Sequence, residues 1–82
     1  MIYKYKGYHL ETPRGSKLLK IAKIGDDLYS WVLLADSEQK QLVMIYFEGT
    51  GWEDSDTKGE YVDTLFEPDG YVWHYFVEYK NV

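Results

Sequence analysis

The chain has 82 residues, which is the size of one domain with a single modest core, and we expect that domain to span residues 1–82. It contains no Cys, so disulfides and thiolate metal sites are excluded as means of stabilising it. With a formal net charge of −5 and no apolar run as long as a membrane span, the composition predicts a cytoplasmic protein without membrane contact.

The N-terminal segment Ile2–Leu10 alternates Tyr with Lys and then changes phase at Gly7. A Gly at a change of phase is the sequence pattern of a β-bulge, so we predict one bulged strand here. The following stretch, Thr12-Pro13-Arg14-Gly15, has Pro second and Gly fourth, which is typical of a type I turn.

The segment Ser16–Gly25 fits two kinds of secondary structure. One is a short helix over residues 16–24, with Ser16 as the N-cap and Gly25 just past the end. The other is a strand that turns at Gly25-Asp26-Asp27 into the next apolar run. We favour the strand, because two turns of helix alone are marginal in water and the spacing resembles that of a hairpin.

Two continuous apolar runs, Leu28–Ala35 and Leu42–Phe47, have the length of strands. Runs without alternation are typical of strands that are covered on both faces. Asp36–Gln41 is the polar loop between them. Farther along, Glu60–Phe66 is rich in Tyr, Val and Thr, and Tyr71–Tyr79 places alternate aromatic residues on one face, so both are predicted strands.

The segment Asp54–Leu65 resembles a calcium loop at first sight, because acidic residues and a Gly occupy positions 1, 3 and 6 of the EF-hand pattern. However, Lys58 and Leu65 stand where that loop needs ligand oxygens. We therefore interpret Asp56–Gly59 as a hairpin turn with Gly at its fourth position. Because those ligand positions are unfilled, the sequence predicts no metal site here. Glu67-Pro68-Asp69-Gly70 is a second predicted turn with Gly at its fourth position.

The spacing of these turns predicts an all-β fold, namely a small antiparallel meander of roughly five to seven strands. At this length the meander is expected to close into a curled sheet or a small barrel. SH3-like and OB-like barrels are the comparisons by size, although the sequence carries no motif of either. Because an open edge at Tyr71–Tyr79 would promote aggregation, a homodimer through an edge strand is a further expectation.

Charge is distributed unevenly along the chain. The block Met1–Ile24 carries +5, whereas Gly25–Val82 carries −10. Such asymmetry bears on partners and association rates. In the alternative interpretation, the two blocks simply meet in the folded state and neutralise each other.

The sequence offers little for catalysis. His9 and His74 each lie within a predicted strand, without the spacing of a triad or a metal site. Gly49-Thr50-Gly51 lacks the Lys and the helix of a phosphate-binding loop. We therefore predict a protein that is not an enzyme and uses no cofactor.

The acidic turns lie next to aromatic residues, which are enriched in binding surfaces. We predict a partner-binding face made of Trp52, Glu53, Asp54, Asp56, Glu60, Tyr61 and Asp63. The expected partner is a protein with a basic surface, such as a nucleic-acid-binding protein. Size and charge favour a small inhibitor or antagonist of the phage-encoded or immunity type. Alternatively, these carboxylates only keep the chain soluble.

Two other binding functions remain open. Tyr3, Tyr5 and Tyr8 alternate with lysines, a pattern of platforms that stack single-stranded nucleic acid, but the negative net charge makes direct nucleic-acid binding the weaker expectation. In a carbohydrate-binding module, the residues that stack on sugar rings would instead be Trp31, Trp52 or Trp73.

Overall fold

The computed structural model describes residues 1–52 and 58–82, and these form seven β-strands and no helix. The strands are β1 (Ile2–Lys6), β2 (His9–Pro13), β3 (Lys17–Ile24), β4 (Asp27–Leu33), β5 (Lys40–Gly49), β6 (Glu60–Phe66) and β7 (Val72–Asn81). The all-β prediction is thereby confirmed. Within the described ranges there is no helix long and apolar enough to cross a membrane.

The strands form two antiparallel sheets that curl around one core. One sheet has the order β1-β4-β3 and the other β2-β5-β7-β6. Consecutive strands pair at β3–β4 and β6–β7, whereas β1–β4, β2–β5 and β5–β7 pair across longer connections. Since β3 and β6 also face each other across the two sheets, the arrangement is barrel-like, as the turn spacing predicted.

The N-terminal segment is not one bulged strand, and that prediction is wrong. The amide of Gly7 donates to the carbonyl of Leu28 in the three-stranded sheet, at 2.9 Å. The carbonyl of the next residue, Tyr8, accepts from the amide of Ile45 in the other sheet, at 2.8 Å. The chain thus changes sheets here, and the φ of +105° at Gly7 is a left-handed conformation that Gly adopts without a steric penalty. The change of phase therefore marks a change of sheet.

The ambiguous segment is a strand, as favoured, and the helix over residues 16–24 does not form. β3 pairs with β4 through a two-residue turn, with Ile24 opposite Asp27. Gly25 has a φ of +64°, which fits the first central position of a type II′ hairpin. A bulge between Leu18 and Lys20 leaves Leu19 exposed.

The Pro13 turn lies one residue later than predicted. The amide of Ser16 donates to the carbonyl of Pro13 at 3.1 Å, so Gly15, with a φ of +93°, stands third in the turn. A positive φ at that position is the geometry of a type II turn rather than type I. The turn also connects strands of different sheets, so it does not form the hairpin that its sequence suggested.

The turn at Glu67–Gly70 is confirmed as a hairpin connection. The amide of Gly70 donates to the carbonyl of Glu67 at 3.0 Å, and the amide of Glu67 donates to the carbonyl of Tyr71 at 2.9 Å. It connects β6 to β7. The predicted turn at Asp56–Gly59 lies mostly outside the described residues, which include only Lys58 and Gly59 of it.

The core lies between the inner faces of the two sheets. Its buried apolar residues are Leu10, Ile21, Leu28, Val32, Val43, Ile45, Tyr75 and Val77. β7 contributes the predicted aromatic face, but burial along β4 and β5 alternates, so these two strands are not covered on both faces. Their outward residues, such as Tyr29, Trp31 and Tyr46, are only half-buried. Large amphipathic side chains of this kind can lie on a sheet with their polar ends in water, which explains the apolar run without a second buried face.

The segment Tyr71–Tyr79, considered above as a possible open edge of the sheet, is not at an edge. β7 lies between β5 and β6 and pairs with both, so Tyr71–Tyr79 is not an edge. The edge strands are β1 and β3 in one sheet and β2 and β6 in the other. A homodimer through an edge strand would use one of those four.

Candidate binding site

Of the predicted site residues, the four that the structure describes, Trp52, Glu60, Tyr61 and Asp63, do not share one face. Glu53, Asp54 and Asp56 lie outside the described residues. Trp52 and Tyr61 are both exposed, at 51% and 59%, but on opposite sides of the four-stranded sheet. Trp52 contacts the inward rings of that sheet, whereas Tyr61 lies on its outer face.

Asp63 is part of an ion pair within the protein. Its carboxylate lies beside the ammonium group of Lys20 on β3, and this hydrogen bond is the main reason why the pKa of Asp63 lies below its ordinary value. A second pair joins Lys23 to Glu67 at 3.6 Å. Both pairs connect β3 with β6 or the turn that follows it, so the basic and acidic blocks of the sequence meet in the folded state. Glu60, at the start of β6, is exposed.

A cluster of aromatic rings lies where β5 ends and β7 begins. We call it the aromatic end; it consists of Tyr8, Phe47, Trp52, Tyr71, Trp73 and Tyr75. Phe47 is central, with ring centroids 5.5 Å from Trp73, 5.6 Å from Tyr8 and 6.4 Å from Trp52. The pairing of Phe47 with Tyr75 and of Gly49 with Trp73 brings these side chains together. The rings therefore form one continuous cluster, which is partly exposed and partly buried.

The turn after β5 folds Trp52 back over the sheet. The amide of Trp52 donates to the carbonyl of Gly49 at 3.3 Å. A Cβ atom at Gly49 would lie only 2.5 Å from the Nε1 atom of Trp52, so the indole ring occupies the space that any larger residue would fill. Gly51, with a φ of +85°, provides the left-handed conformation of this turn.

A pocket of about 290 Å³ opens beside these rings. Trp52, Tyr71 and Trp73 line it together with the backbone around Gly49 and Gly70. The planes of Trp52 and Trp73 are nearly perpendicular, at 86°, with centroids 5.5 Å apart. Tyr71 stacks on Trp73 with centroids 6.1 Å apart. The pocket therefore has aromatic walls in two orientations.

Beneath the exposed rings, Tyr75 is 2% exposed and belongs to the core. Burial raises the pKa of its hydroxyl well above the ordinary value, and the neighbouring Tyr8 adds to that effect. The aromatic end thus rests on a fixed, neutral ring.

Sequence reasoning identified Trp52, and named Trp73 as a possible sugar-stacking residue, but missed Phe47 and Tyr71 as site residues. Tyr71 and Trp73 were assigned to one strand face, which was a usable signal. Nothing local in the sequence pairs Phe47 with Tyr75, because that contact depends on strand order.

A chain of hydrogen bonds centred on His74 lies on the outer face of the same sheet. The Nε2 atom of His74 lies 2.7 Å from the Thr50 hydroxyl, and its Nδ1 atom lies 3.0 Å from the Thr64 hydroxyl. The Tyr61 hydroxyl in turn bonds with that of Thr64. The imidazole thereby links the segment after β5 to β6 and β7. Of the residues described, no three His, Asp or Glu side chains converge for a metal ion.

The lysines of β1 lie on the outer face of the three-stranded sheet. The Lys4 ammonium group lies 4.3 Å from the ring centroid of Tyr29 and 5.8 Å from that of Trp31. Tyr3 and Tyr5 alternate with these lysines and so belong to the opposite face. The rings beside Lys4 are therefore not those that the sequence pattern suggested.

Comparison of this chain with curated proteins and with solved structures gave no match. A family model does match, over residues 2–82, which is nearly the whole chain. The protein therefore belongs to the family described as "Domain of unknown function (DUF7352)".

Proposed function

We propose that this protein is a non-catalytic binding module, and that it acts as a small acidic antagonist of a basic, nucleic-acid-binding protein. The observation that carries the proposal is the exposure of the aromatic end. Phe47, Trp52 and Tyr71 are 43%, 51% and 63% exposed, although each contacts other rings. The inhibitory role, the phage or immunity setting and the cytoplasmic location are parts of this proposal that rest on size and charge.

Exposed rings of this kind are suited to protein recognition. Trp and Tyr are enriched among the residues whose truncation weakens protein–protein binding most. They bring a large contact area with few rotatable bonds, so little conformational entropy is lost on binding. The ring contacts within the aromatic end restrict these side chains further. A partner surface would therefore meet a preorganised patch.

The charge of the protein favours a basic partner. The net charge is −5. The ion pairs Lys20–Asp63 and Lys23–Glu67 each join one positive and one negative group, so they leave this negative excess unchanged. The remaining acidic excess is available to attract positive charge. Such attraction mainly accelerates association and weakens as salt is added.

The proposal is tested by capture from nuclease-treated lysate of native or host cells. Wild-type protein, Tyr71→Ala and Tyr61→Ala are tagged, and bound proteins are eluted with rising salt and identified by mass spectrometry. Tyr61 is a matched control, because it is also exposed but lies on the outer face of the sheet. We expect a stoichiometric basic protein with wild type and Tyr61→Ala, released at moderate salt, and its loss with Tyr71→Ala. Equal capture by all three, or recovery of the tagged chain alone, would contradict the proposal.

A second candidate function is binding of single-stranded nucleic acid on the outer face of the three-stranded sheet. The position of Lys4 over the Tyr29 and Trp31 rings favours it, because a base can stack on a ring while a lysine contacts phosphate. An oligonucleotide titration of wild type and Lys4→Gln tests this function. Weaker binding by Lys4→Gln, with release of the oligonucleotide at higher salt, would support it.

A further inference from the structure

We propose that the pocket between Trp52, Tyr71 and Trp73 receives an ammonium group, as found at the end of a lysine side chain or an N-alkylated lysine. The inference rests on the proposed function and deepens it, because it names the group of the basic partner that enters the aromatic end.

The size of the pocket fits a single side chain. Its volume of about 290 Å³ lies at the lower limit of pockets that hold whole small molecules, roughly 300 Å³. It is open to solvent beside two exposed rings, Trp52 and Tyr71. A side chain from a partner protein can therefore enter while the partner's backbone remains outside.

The walls of the pocket suit a cation. The face of an aromatic ring carries partial negative charge, and Trp attracts a nearby cation most strongly. Because Trp52 and Trp73 stand nearly perpendicular, a group in the corner between them contacts both indoles. Tyr71, whose ring lies within 25° of parallel to that of Trp73, adds a third ring to the lining of the pocket. Several ring contacts at once are the usual means of recognising alkylated ammonium groups.

The polar groups at the border of the pocket favour a cation over a sugar. The Thr50 hydroxyl is already engaged with His74 at 2.7 Å, and an Asp69 oxygen accepts the amide of Tyr71 at 3.1 Å. A sugar needs a hydrogen-bonding partner for each of several hydroxyls, and the side chains that line the pocket are mainly aromatic. A fully alkylated ammonium group needs no such partner, a lysine ammonium group can donate to the Asp69 carboxylate, and the negative charge of Asp69 attracts either of them.

The test is an NMR titration of the full chain that follows the indole N–H signals of its three Trp residues. The probes are tetramethylammonium chloride, methyl glucoside, and neopentyl alcohol, which is a water-soluble neutral near-isostere of tetramethylammonium with one additional hydroxyl; sodium chloride is the ionic control. We expect saturable shifts of Trp52 and Trp73 with tetramethylammonium, and about tenfold weaker binding of the neutral isostere. Trp31, in the other sheet, serves as an internal control that does not shift.

Variants assign the binding to this pocket. Tyr71→Ala should weaken tetramethylammonium binding about fivefold or more, whereas Tyr61→Ala should leave it unchanged. Gly49→Ala should also weaken it, because the added Cβ displaces the indole of Trp52. Equal binding of the neutral isostere, stronger binding of methyl glucoside, or no shift at Trp52 and Trp73 would overturn the inference.

Peptides connect the pocket to a protein partner. A short peptide with a central lysine or trimethyllysine should shift the same indole signals, and its norleucine counterpart should not. Binding of tetramethylammonium without binding of either cationic peptide would overturn the assignment to a partner side chain. If the lysate experiment captures a basic protein but these titrations fail, the aromatic end binds by apolar contact, and the proposed function stands without this inference.

Discussion

The two ends of β5 are built in opposite ways. Near its start, Gln41 is buried, and its Nε2 atom donates to the Thr12 hydroxyl at 3.1 Å and to the Ser16 carbonyl at 2.9 Å. Its Oε1 atom accepts the amide of Gly15 at 3.2 Å. We call this region the polar end. Near its last residue, Gly49, the same strand contributes to the exposed rings of the aromatic end.

The two ends differ in what their side chains do: the hydrogen bonds of the polar end stabilise the fold, whereas the rings of the aromatic end stay partly exposed. Buried polar groups must find partners, so the polar end has one arrangement in which the hydrogen bonds of Gln41 are satisfied. Aromatic rings tolerate partial exposure, so the other end can stay open without leaving hydrogen bonds unmade. One end fixes the path of the chain through the turn between β2 and β3. The other leaves aromatic rings exposed, and we propose that these rings bind a partner.

The largest effect is expected within the aromatic end itself, from Tyr75→Ala. Removing this buried ring leaves a cavity, and we expect a loss of about 3–5 kcal/mol in the free energy of unfolding. Tyr71→Ala, which removes an exposed ring of the same cluster, should cost less than about 1 kcal/mol. Urea denaturation measures both. Similar losses for the two variants would show that the exposed rings support the fold.

Gln41→Ala is expected to be the next largest, with a loss of about 2–4 kcal/mol. It removes the donor to the buried Thr12 hydroxyl and to the Ser16 carbonyl, and it removes the acceptor of the Gly15 amide. Gln39→Ala, at an exposed position nearby, is the matched control and should cost less than about 1 kcal/mol. A small effect of Gln41→Ala would mean that the polar end does not fix the fold.

Ser30→Ala tests the opposite case to Gln41, namely a buried polar group whose removal is expected to stabilise the fold. Ser30 is fully buried, and its hydroxyl has no hydrogen-bond partner among the described residues. Burial of such a group is unfavourable, so its removal should raise the free energy of unfolding by about 1 kcal/mol. Thermal and urea denaturation test this gain. A loss of stability would show that the hydroxyl is paired in solution.

The smallest effect concerns the ion pair between Lys20 and Asp63. Because the pKa of Asp63 is lowered in the folded state, the pair stabilises the fold above the unfolded value of about 3.9. That contribution is lost as the pH falls through the lower folded pKa. We expect Asp63→Asn to lose at most about 1 kcal/mol at pH 7, and the difference from wild type to disappear in strong acid. A difference that persists at low pH would indicate a steric rather than an electrostatic cause.

Much of the fold could be predicted from the sequence, because strands and tight turns depend on local chemistry. The strand over Glu60–Phe66 and the turn at Glu67–Gly70 follow from β-branched and aromatic residues and from Pro and Gly at fixed positions. The calcium pattern was set aside for the same kind of local reason, a Lys where an oxygen is required. Such signals need no knowledge of distant residues.

Strand order was decided by the tertiary structure, and the candidate site depends on strand order. At Gly7 the phase change alone could not distinguish a bulge from a change of sheet, because both need the same backbone freedom. Trp52 and Tyr61 are near in sequence yet lie on opposite sides of a sheet, because the turn after β5 folds Trp52 against Trp73 while strand pairing places Tyr61 beside Phe76 on the outer face. The aromatic end exists because β5 and β7 are neighbours, and that neighbourhood reflects the burial of a shared core across the whole chain.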